Sequence, residues 1–364
     1  MSVAAPTPEA WATLSLKALP HQALVALLRT FGDPAAVLAA TRAQLSLVVP
    51  DAIAARVQAP VPPDTLASTR EWLADPAHEI IAWDDPDYPR ALLDLGYSPP
   101  ALFFVGRREL LNRPALAIIG SRNATAQGAE NARAFAQALS QAGLTIVSGL
   151  AVGIDAAAHR GAMEGEGSTL AVVGTGLDRV YPASHRDLAH RIAAQGGLLS
   201  EFPPGTPPKE KNFPRRNRLI SGLARGVLVV EAAVSSGSLI TARYAGEQGR
   251  EVFAIPGSIH SPLSKGCHKL IRDGAKLVEK AEDILEELGM AGGFPSGAKR
   301  EAVPASANER ALLDALGGDS VDVDTLAART AMAPDLVVAT LTNLELAGRV
   351  AALPGGLWQR LHLS

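Results

Sequence analysis

The chain has a single cysteine, Cys267. One thiol excludes an intramolecular disulfide and any zinc site built from several cysteines. No stretch approaches about 18 uninterrupted apolar residues, so no membrane-spanning helix is expected. The first residues lack a basic segment followed by an apolar core, and the expectation is a cytoplasmic protein. The phosphate-binding signatures of common nucleotide enzymes are missing as well. There is no G-x-x-x-x-G-K-[ST], which argues against a P-loop ATPase. The turn after the apolar stretch Leu116–Ile119 reads Gly120-Ser-Arg-Asn-Ala-Thr125 rather than G-x-G-x-x-G. The following strand ends at Ser148-Gly149 with no carboxylate to hold a ribose, which argues against a dinucleotide. Nor is positive charge in surplus overall, since the formal net charge is -3.

What is present is a chain of 364 residues, 47% hydrophobic and 20% charged, long enough for two or three domains with sizeable cores. Its charge is unevenly placed. From Glu201 to Lys276, 12 lysines and arginines stand against 6 acidic residues, a local surplus of +6. From Ala305 to Ser364 the count is 4 against 7, a net of -3.

Residues 1–75 read as a domain of short helices. Leu24, Leu27, Leu28 and Phe31 recur at helical spacing, and Gly32-Asp33-Pro34 ends one helix and begins another. Such a bundle suits a helix-hairpin-helix nucleic-acid module or a helical packing domain. Its cations are few (Arg29, Arg42, Arg56), which favours packing. Over residues 80–288, apolar strands at Leu102–Val105, Leu116–Ile119, Leu144–Val147, Leu170–Val173, Gly226–Val230 and Glu251–Ile255 alternate with helical stretches such as Ala129–Gln141. That is the order of a mostly parallel α/β sheet covered on both faces. Residues 289–307 are rich in Gly, Pro, Ala and Ser and read as a linker. Residues 308–364 read as three helices and a Gly355-Gly356 hairpin, a winged helix. Its third helix carries Asp335 and Glu345 and no cation before Arg349, a poor match for a phosphate-lined groove, so a protein-contact or regulatory role fits better.

The densest chemical signal is Phe213-Pro-Arg-Arg-Asn-Arg-Leu-Ile-Ser-Gly222, with Lys209 and Lys211 upstream. Forked guanidiniums suit a row of phosphates, and a phenylalanine among them offers a face to an unpaired base. The plainer alternative is a set of arginines paired with nearby carboxylates such as Glu201 or Glu231. Glycine-rich loops close the strands at Gly120–Thr125, Ser148–Asp155, Gly174-Thr-Gly176 and Ser235–Ser238. Beyond the carboxyl ends of parallel strands such loops let backbone N–H groups approach an anion. Asp155 and His159 share a helix face at a spacing that could serve a metal or a base, yet a structural role is the commoner one. Adjacent Cys267 and His268 point apart on a regular element.

Taken in order, the motifs resemble the DNA-processing protein family DprA, also called Smf. The matching stretches are Tyr88-Pro-Arg90, Ala117-Ile-Ile-Gly-Ser-Arg122, Ser148-Gly-Leu-Ala-Val-Gly-Ile-Asp155 with His159, Tyr181-Pro182 and Ser200-Glu-Phe202. They continue with Phe213-Pro-Arg-Arg-Asn-Arg218, Val230-Glu231, Ser236-Gly-Ser-Leu-Ile-Thr-Ala242, Gly249-Arg250, Ile255-Pro-Gly257 and Leu270-Ile271 with Gly274-Ala275. The resemblance covers roughly residues 80–285. It implies an extended Rossmann-like domain, a helical sterile-alpha-motif-like domain before it and a winged helix after it. It further implies a homodimer that binds single-stranded DNA without catalysis, protects incoming strands during natural transformation and loads the recombinase RecA. No cofactor or metal is implied. Carried over residue by residue, the DNA contacts would be Ser121, Arg122, Lys209, Lys211, Phe213, Arg215, Arg216, Asn217 and Arg218, with Ser236, Gly237, Ser238 and Lys265 beside them. Two other readings stand against this one. A nucleotide-processing enzyme resembling the lysine-decarboxylase-like phosphoribohydrolases would need a P-G-G-x-G-T loop where this chain has Ser235-Ser-Gly-Ser-Leu-Ile-Thr241. The other is a scaffold for protein contacts alone.

Overall fold

The computed structural model describes residues 8–93, 95–290, 306–317, 320–353 and 355–361. Short helices occupy Pro8–Leu16, His21–Phe31, Pro34–Ala39, Arg42–Ser46, Asp51–Gln58 and Pro63–Leu73. Their breaks follow from local chemistry. Gly32 takes φ 88° and closes one helix, and the Asp33 carboxylate then accepts from Ala36 N at 2.9 Å to start the next. Leu14, Leu24, Leu27, Val37, Leu45 and Val57 form the core of this domain. Trp11 and Trp72 pack with Ile80, Ala82 and Phe103, which seats the helices on the edge of the central sheet.

That sheet has nine strands: β1 (His78–Ala82), β2 (Ala101–Gly106), β3 (Ala115–Ile119), β4 (Thr145–Ser148), β5 (Thr169–Val172), β6 (Gly197–Ser200), β7 (Gly226–Val229), β8 (Glu251–Ala254) and β9 (Lys276–Leu277). Their order is β1-β2-β6-β5-β4-β3-β7-β8-β9. Strands β3 to β9 run parallel to their neighbours, while β2 pairs antiparallel with both β6 and β1. The parallel part of the sheet thus starts at β3, works outward to β6, and returns to the other side of β3 as β7. This is a Rossmann-like switch point, and it opens at the carboxyl ends of the strands. Alternation along each strand sorts the helices. Leu116, Ile118, Ile146 and Leu228 face helices Ala126–Gln141, Ile154–Ala162 and Ala281–Glu287. Ala117, Ile119, Val147, Val172 and Val227 face helix Asn212–Leu223, joined there by Ala242, Ala245 and Cys267.

The six strands read from sequence are all present. Strands β1, β6 and β9 go beyond that reading: β9 is only two residues long, and β1 and β6 lack a sustained apolar run. The phosphate-binding reading of Phe213–Gly222 gave no hint of a helix there, yet the segment lies within helix Asn212–Leu223. The C-terminal unit contains helices Ala307–Leu316, Val323–Thr330 and Pro334–Leu346. Its wing comprises β10 (Ser320–Asp322), β11 (Val350–Leu353) and β12 (Leu357–Arg360), in the order β10-β12-β11. Its own core of Leu312, Leu316, Leu326, Val337, Leu341 and Leu344 makes it a separate packing unit. Most of the expected linker lies outside the described residues.

Two consequences for stability follow. Helices Ala126–Gln141 and Ile154–Ala162 cross so closely that a Cβ on Gly161 would lie 2.0 Å from the Arg133 carbonyl oxygen. Gly161→Ala should therefore cost about 1–3 kcal/mol, as overpacking does, and lower the melting temperature; an unchanged melting curve would show that the crossing can relax. His159 is fully buried, and its Nδ1 lies 2.7 Å from Thr169 Oγ1. Burial, with the charges of His185, Arg216 and Arg160, pushes its pKa down to about 3. The unfolded chain protonates this imidazole near its ordinary value of about 6.5, whereas the folded chain keeps it neutral. Its contribution to stability is therefore complete above pH 6.5 and lost as the pH falls from there toward 3, by up to about 1.4 kcal/mol per pH unit. Replacement by glutamine should flatten the acid limb of a stability–pH profile measured by urea titration. Equal slopes in both proteins would refute the assignment.

Candidate nucleic-acid interface

Strand ends along the switch-point edge place the candidate residues in a defined order. β5 leads to Gly174, β4 to Gly149, β3 to Gly120-Ser-Arg122, β7 to Glu231 and the serine loop, and β8 to Gly257 and Lys265. With strands spaced about 4.8 Å apart, this edge is roughly 19 Å wide from β5 to β8.

At the β5 end, Phe213 begins helix Asn212–Leu223 and lays its ring on Gly174, where a Cβ would meet Phe213 Cδ1 at 3.1 Å. The Asn212 amide donates to the Gly174 carbonyl at 3.1 Å and holds the helix start against this loop. Tyr181 lies beside Phe213, with ring centroids 5.6 Å apart and planes 33° apart, and it is 47% exposed. The Arg122 guanidinium reaches over from the β3 loop to 5.7 Å from the Phe213 centroid. Arg122, Lys209 and Lys211 are exposed, and none is paired with a carboxylate among the described residues. The result is an aromatic face, partly open, flanked by three uncommitted cations. Tyr181 belongs to a motif of the family resemblance but not to the residues that resemblance assigns to DNA contact. The signal that could have found it was its place in the loop after β5, which the topology brings to the same edge.

The arginine motif is split by helical geometry. With 3.6 residues per turn, Arg215 and Arg218 lie on one side of the helix, while Arg216 points to another. Arg215 Nε lies 2.9 Å from Glu201 Oε1, and Arg218 pairs with the other oxygen of the same carboxylate. Arg218 also donates to the Tyr97 carbonyl at 2.9 Å and lies over the Tyr97 ring. Arg216 points inward. It is 5% exposed, and its Nη1 donates to the carbonyls of Gly149, at 2.6 Å, and Val172. Burial and the nearby Arg122 charge lower its pKa to about 10 against the opposing pull of Asp155, so it remains charged at neutral pH. Asn217 Oδ1 accepts from Arg216 Nε at 3.1 Å. A continuous row of three arginines offered to phosphates is therefore not what the fold presents. The carboxylate pairing expected as the plainer alternative holds for Arg215 and Arg218.

The loop amides are likewise occupied. Asp155, whose pKa burial raises, accepts from the backbone N–H groups of Gly149 and Ala151 at 3.1 and 3.3 Å. Glu231 accepts from Thr125 N at 3.0 Å and from Thr125 Oγ1 at 2.6 Å, and its carboxylate sits where a Cβ on Gly128 would be. It thus fills the position at the start of helix Ala126–Gln141 where an open sheet of this kind holds a nucleotide phosphate. The protein supplies its own anion at that helix end. Ser121 is buried and accepts from Asn123 N at 3.1 Å. Ser236 and Ser238 bond each other at 2.6 Å. Those serines with Gly237, and Lys265 at the start of helix Lys265–Arg272, lie at the β7 and β8 ends of the edge, remote in strand order from Phe213.

Comparison with known proteins agrees with this architecture. The family profile of DNA recombination-mediator protein A matches residues 79–289, and that of the DprA winged helix domain matches residues 296–356. Protein Smf of Escherichia coli is 45% identical over 302 residues, covering 81% of this chain and 81% of its own. The X-ray structure of DNA processing protein A from Streptococcus pneumoniae superposes with a TM-score of 0.68 at 38% identity, covering 79% of this chain and 99% of its own. DNA processing protein A from Helicobacter pylori, solved for its single-stranded DNA binding mode, superposes with a TM-score of 0.53 at 29% identity, over 58% of this chain and 95% of its own. Fold, motif order and sequence identity agree: this chain belongs to the DNA recombination-mediator protein A family, the DprA or Smf DNA-processing proteins.

Proposed function

We propose that this chain binds single-stranded DNA at the β5–β3 part of the switch-point edge. The observation that carries the reading is the cluster at the β5 end: Phe213 and Tyr181 in contact, Arg122 over the ring, and Lys209 and Lys211 in the adjoining loop. An aromatic face takes the π-face of any unpaired base, and cations around it take the neighbouring phosphates without reading sequence. Duplex DNA keeps its base faces stacked inside and cannot use that surface. The single-stranded DNA binding of the Helicobacter pylori relative supports the same assignment. Arg215 and Arg218 share the Glu201 carboxylate, which balances only one of their two charges, and they are less available than the three uncommitted cations.

For the wider role we propose what the family resemblance implies. Working as a homodimer in the cytoplasm, the protein holds incoming strands during natural transformation and hands them to RecA. No chemical step is assigned to it. The Glu231 carboxylate in the helix-end anion position argues against a nucleotide-processing enzyme, which would need that place for substrate phosphate.

Titration with oligonucleotides across a range of salt tests the binding mode. Three phosphate contacts predict a log–log slope of about -2, since each contributes about -0.7 on a single strand. Arg122→Ala should weaken binding to every sequence and reduce the slope by about 0.7. Phe213→Ala should cost about 1–3 kcal/mol with the slope unchanged, because stacking releases no counterions. Variants that keep the wild-type melting temperature and bind as tightly as wild type would remove the site. The C-terminal unit makes a second test. Its net charge of -3 and cation-free third helix predict that a chain ending at Gly289 retains most single-strand affinity, and a loss as large as that of Arg122→Ala would place the winged helix on the DNA.

A further inference from the structure

We infer that Arg216 is a positioning residue: its buried guanidinium ties the helix carrying Phe213 to the ends of β4 and β5, and so fixes the stacking face without touching DNA. The inference rests on the single-strand-binding reading above.

Phe213 and Arg216 are three residues apart on helix Asn212–Leu223, so they share a side of it. Whatever anchors Arg216 therefore aims Phe213. The anchor is specific: Nη1 bridges the Gly149 and Val172 carbonyls, which belong to the ends of two adjacent strands. Gly174, on which the Phe213 ring lies, is two residues beyond Val172. The same strand end therefore both receives the guanidinium and seats the ring. Asp155 supplies the counter-charge and holds the Gly149 loop by its amides, while Arg216 holds that loop by its carbonyl. Gly149 has to lack a side chain, since a Cβ there would lie 2.7 Å from both Arg216 nitrogens and 2.7 Å from Asp155 Oδ2. The loop is further shaped by Leu150 at φ 60°, whose carbonyl accepts from His185 Nδ1 at 3.0 Å. A lysine would keep the charge but lose the planar fork that engages the carbonyls and Asn217 together.

The test uses the full chain with Arg216→Lys, Phe213→Ala and the double substitution, measuring single-strand affinity against salt, melting temperature, and amide hydrogen exchange over residues 148–153 and 212–216. Arg216→Lys should weaken binding roughly 5- to 30-fold with the wild-type salt slope, and exchange at 148–153 should quicken. Phe213→Ala should add little loss in the Lys background, because a misplaced ring no longer stacks. With the charge removed in Arg216→Gln, a salt slope reduced by about 0.7 would show instead that Arg216 contacts a phosphate, and fully additive losses in the Arg216→Lys and Phe213→Ala pair would show that it does not act through Phe213. Either result overturns the inference. Should Arg216→Lys fail to fold, Asp155→Asn removes the balancing charge and should give the same non-additivity; additivity there would equally overturn it. If Phe213→Ala leaves wild-type affinity intact, the DNA reading of the site is what fails. Unchanged exchange in Arg216→Lys rejects the strut whatever the DNA result.

Discussion

A positive charge inside the protein organises the carboxyl edge of its central sheet. The Arg216 guanidinium cannot be solvated where it lies, so the fold surrounds it with strand-end carbonyls and the nearby Asp155 charge. That same side chain donates to the Gly149 and Val172 carbonyls at the ends of β4 and β5. A buried charge tolerates little displacement, because losing its partners leaves it unpaired in a low-dielectric interior. The parts it joins are thereby held in register: a helix start, two strand ends and a glycine loop.

The outer surface of this edge has the opposite character. Arg122, Lys209 and Lys211 are exposed and uncommitted, and Tyr181 leaves about half its surface open. Between the two lie Arg215 and Arg218, which share the single carboxylate of Glu201, whose side chain is almost completely buried. Charge is thus graded from structural to available across a single turn of helix. A net charge of -3 for the chain says nothing of this arrangement, since the local surplus is carried by the central segment and opposed by the acidic C-terminal unit.

Self-supplied anions set this sheet apart from nucleotide-binding ones of similar topology. Glu231 at the start of helix Ala126–Gln141 and Asp155 against the Gly149 loop take the N–H groups that a cofactor phosphate would use. What remains open on the edge is side-chain chemistry: rings and cations suited to a polymer lying across the surface rather than a small molecule held in a cradle.

Six strands of the central sheet, its mostly parallel α/β class, the winged helix and the family were legible in the sequence, because apolar runs of the right length and closely spaced motifs carry that information locally. Phe213 and Arg122 could be placed in one candidate site from motif resemblance alone. Their contact, and the arrival of Tyr181 beside them, required strands β3 and β5 to end on one edge. The sequence Arg-Arg-Asn-Arg looks like one phosphate-binding row because consecutive letters carry no direction. Only the helix and its packing decide that Arg216 turns inward to carbonyl oxygens while Arg215 and Arg218 turn to a carboxylate fourteen and seventeen residues upstream. Burial is a property of the folded surroundings, and for a charged residue it reverses the meaning of the side chain from ligand donor to structural strut.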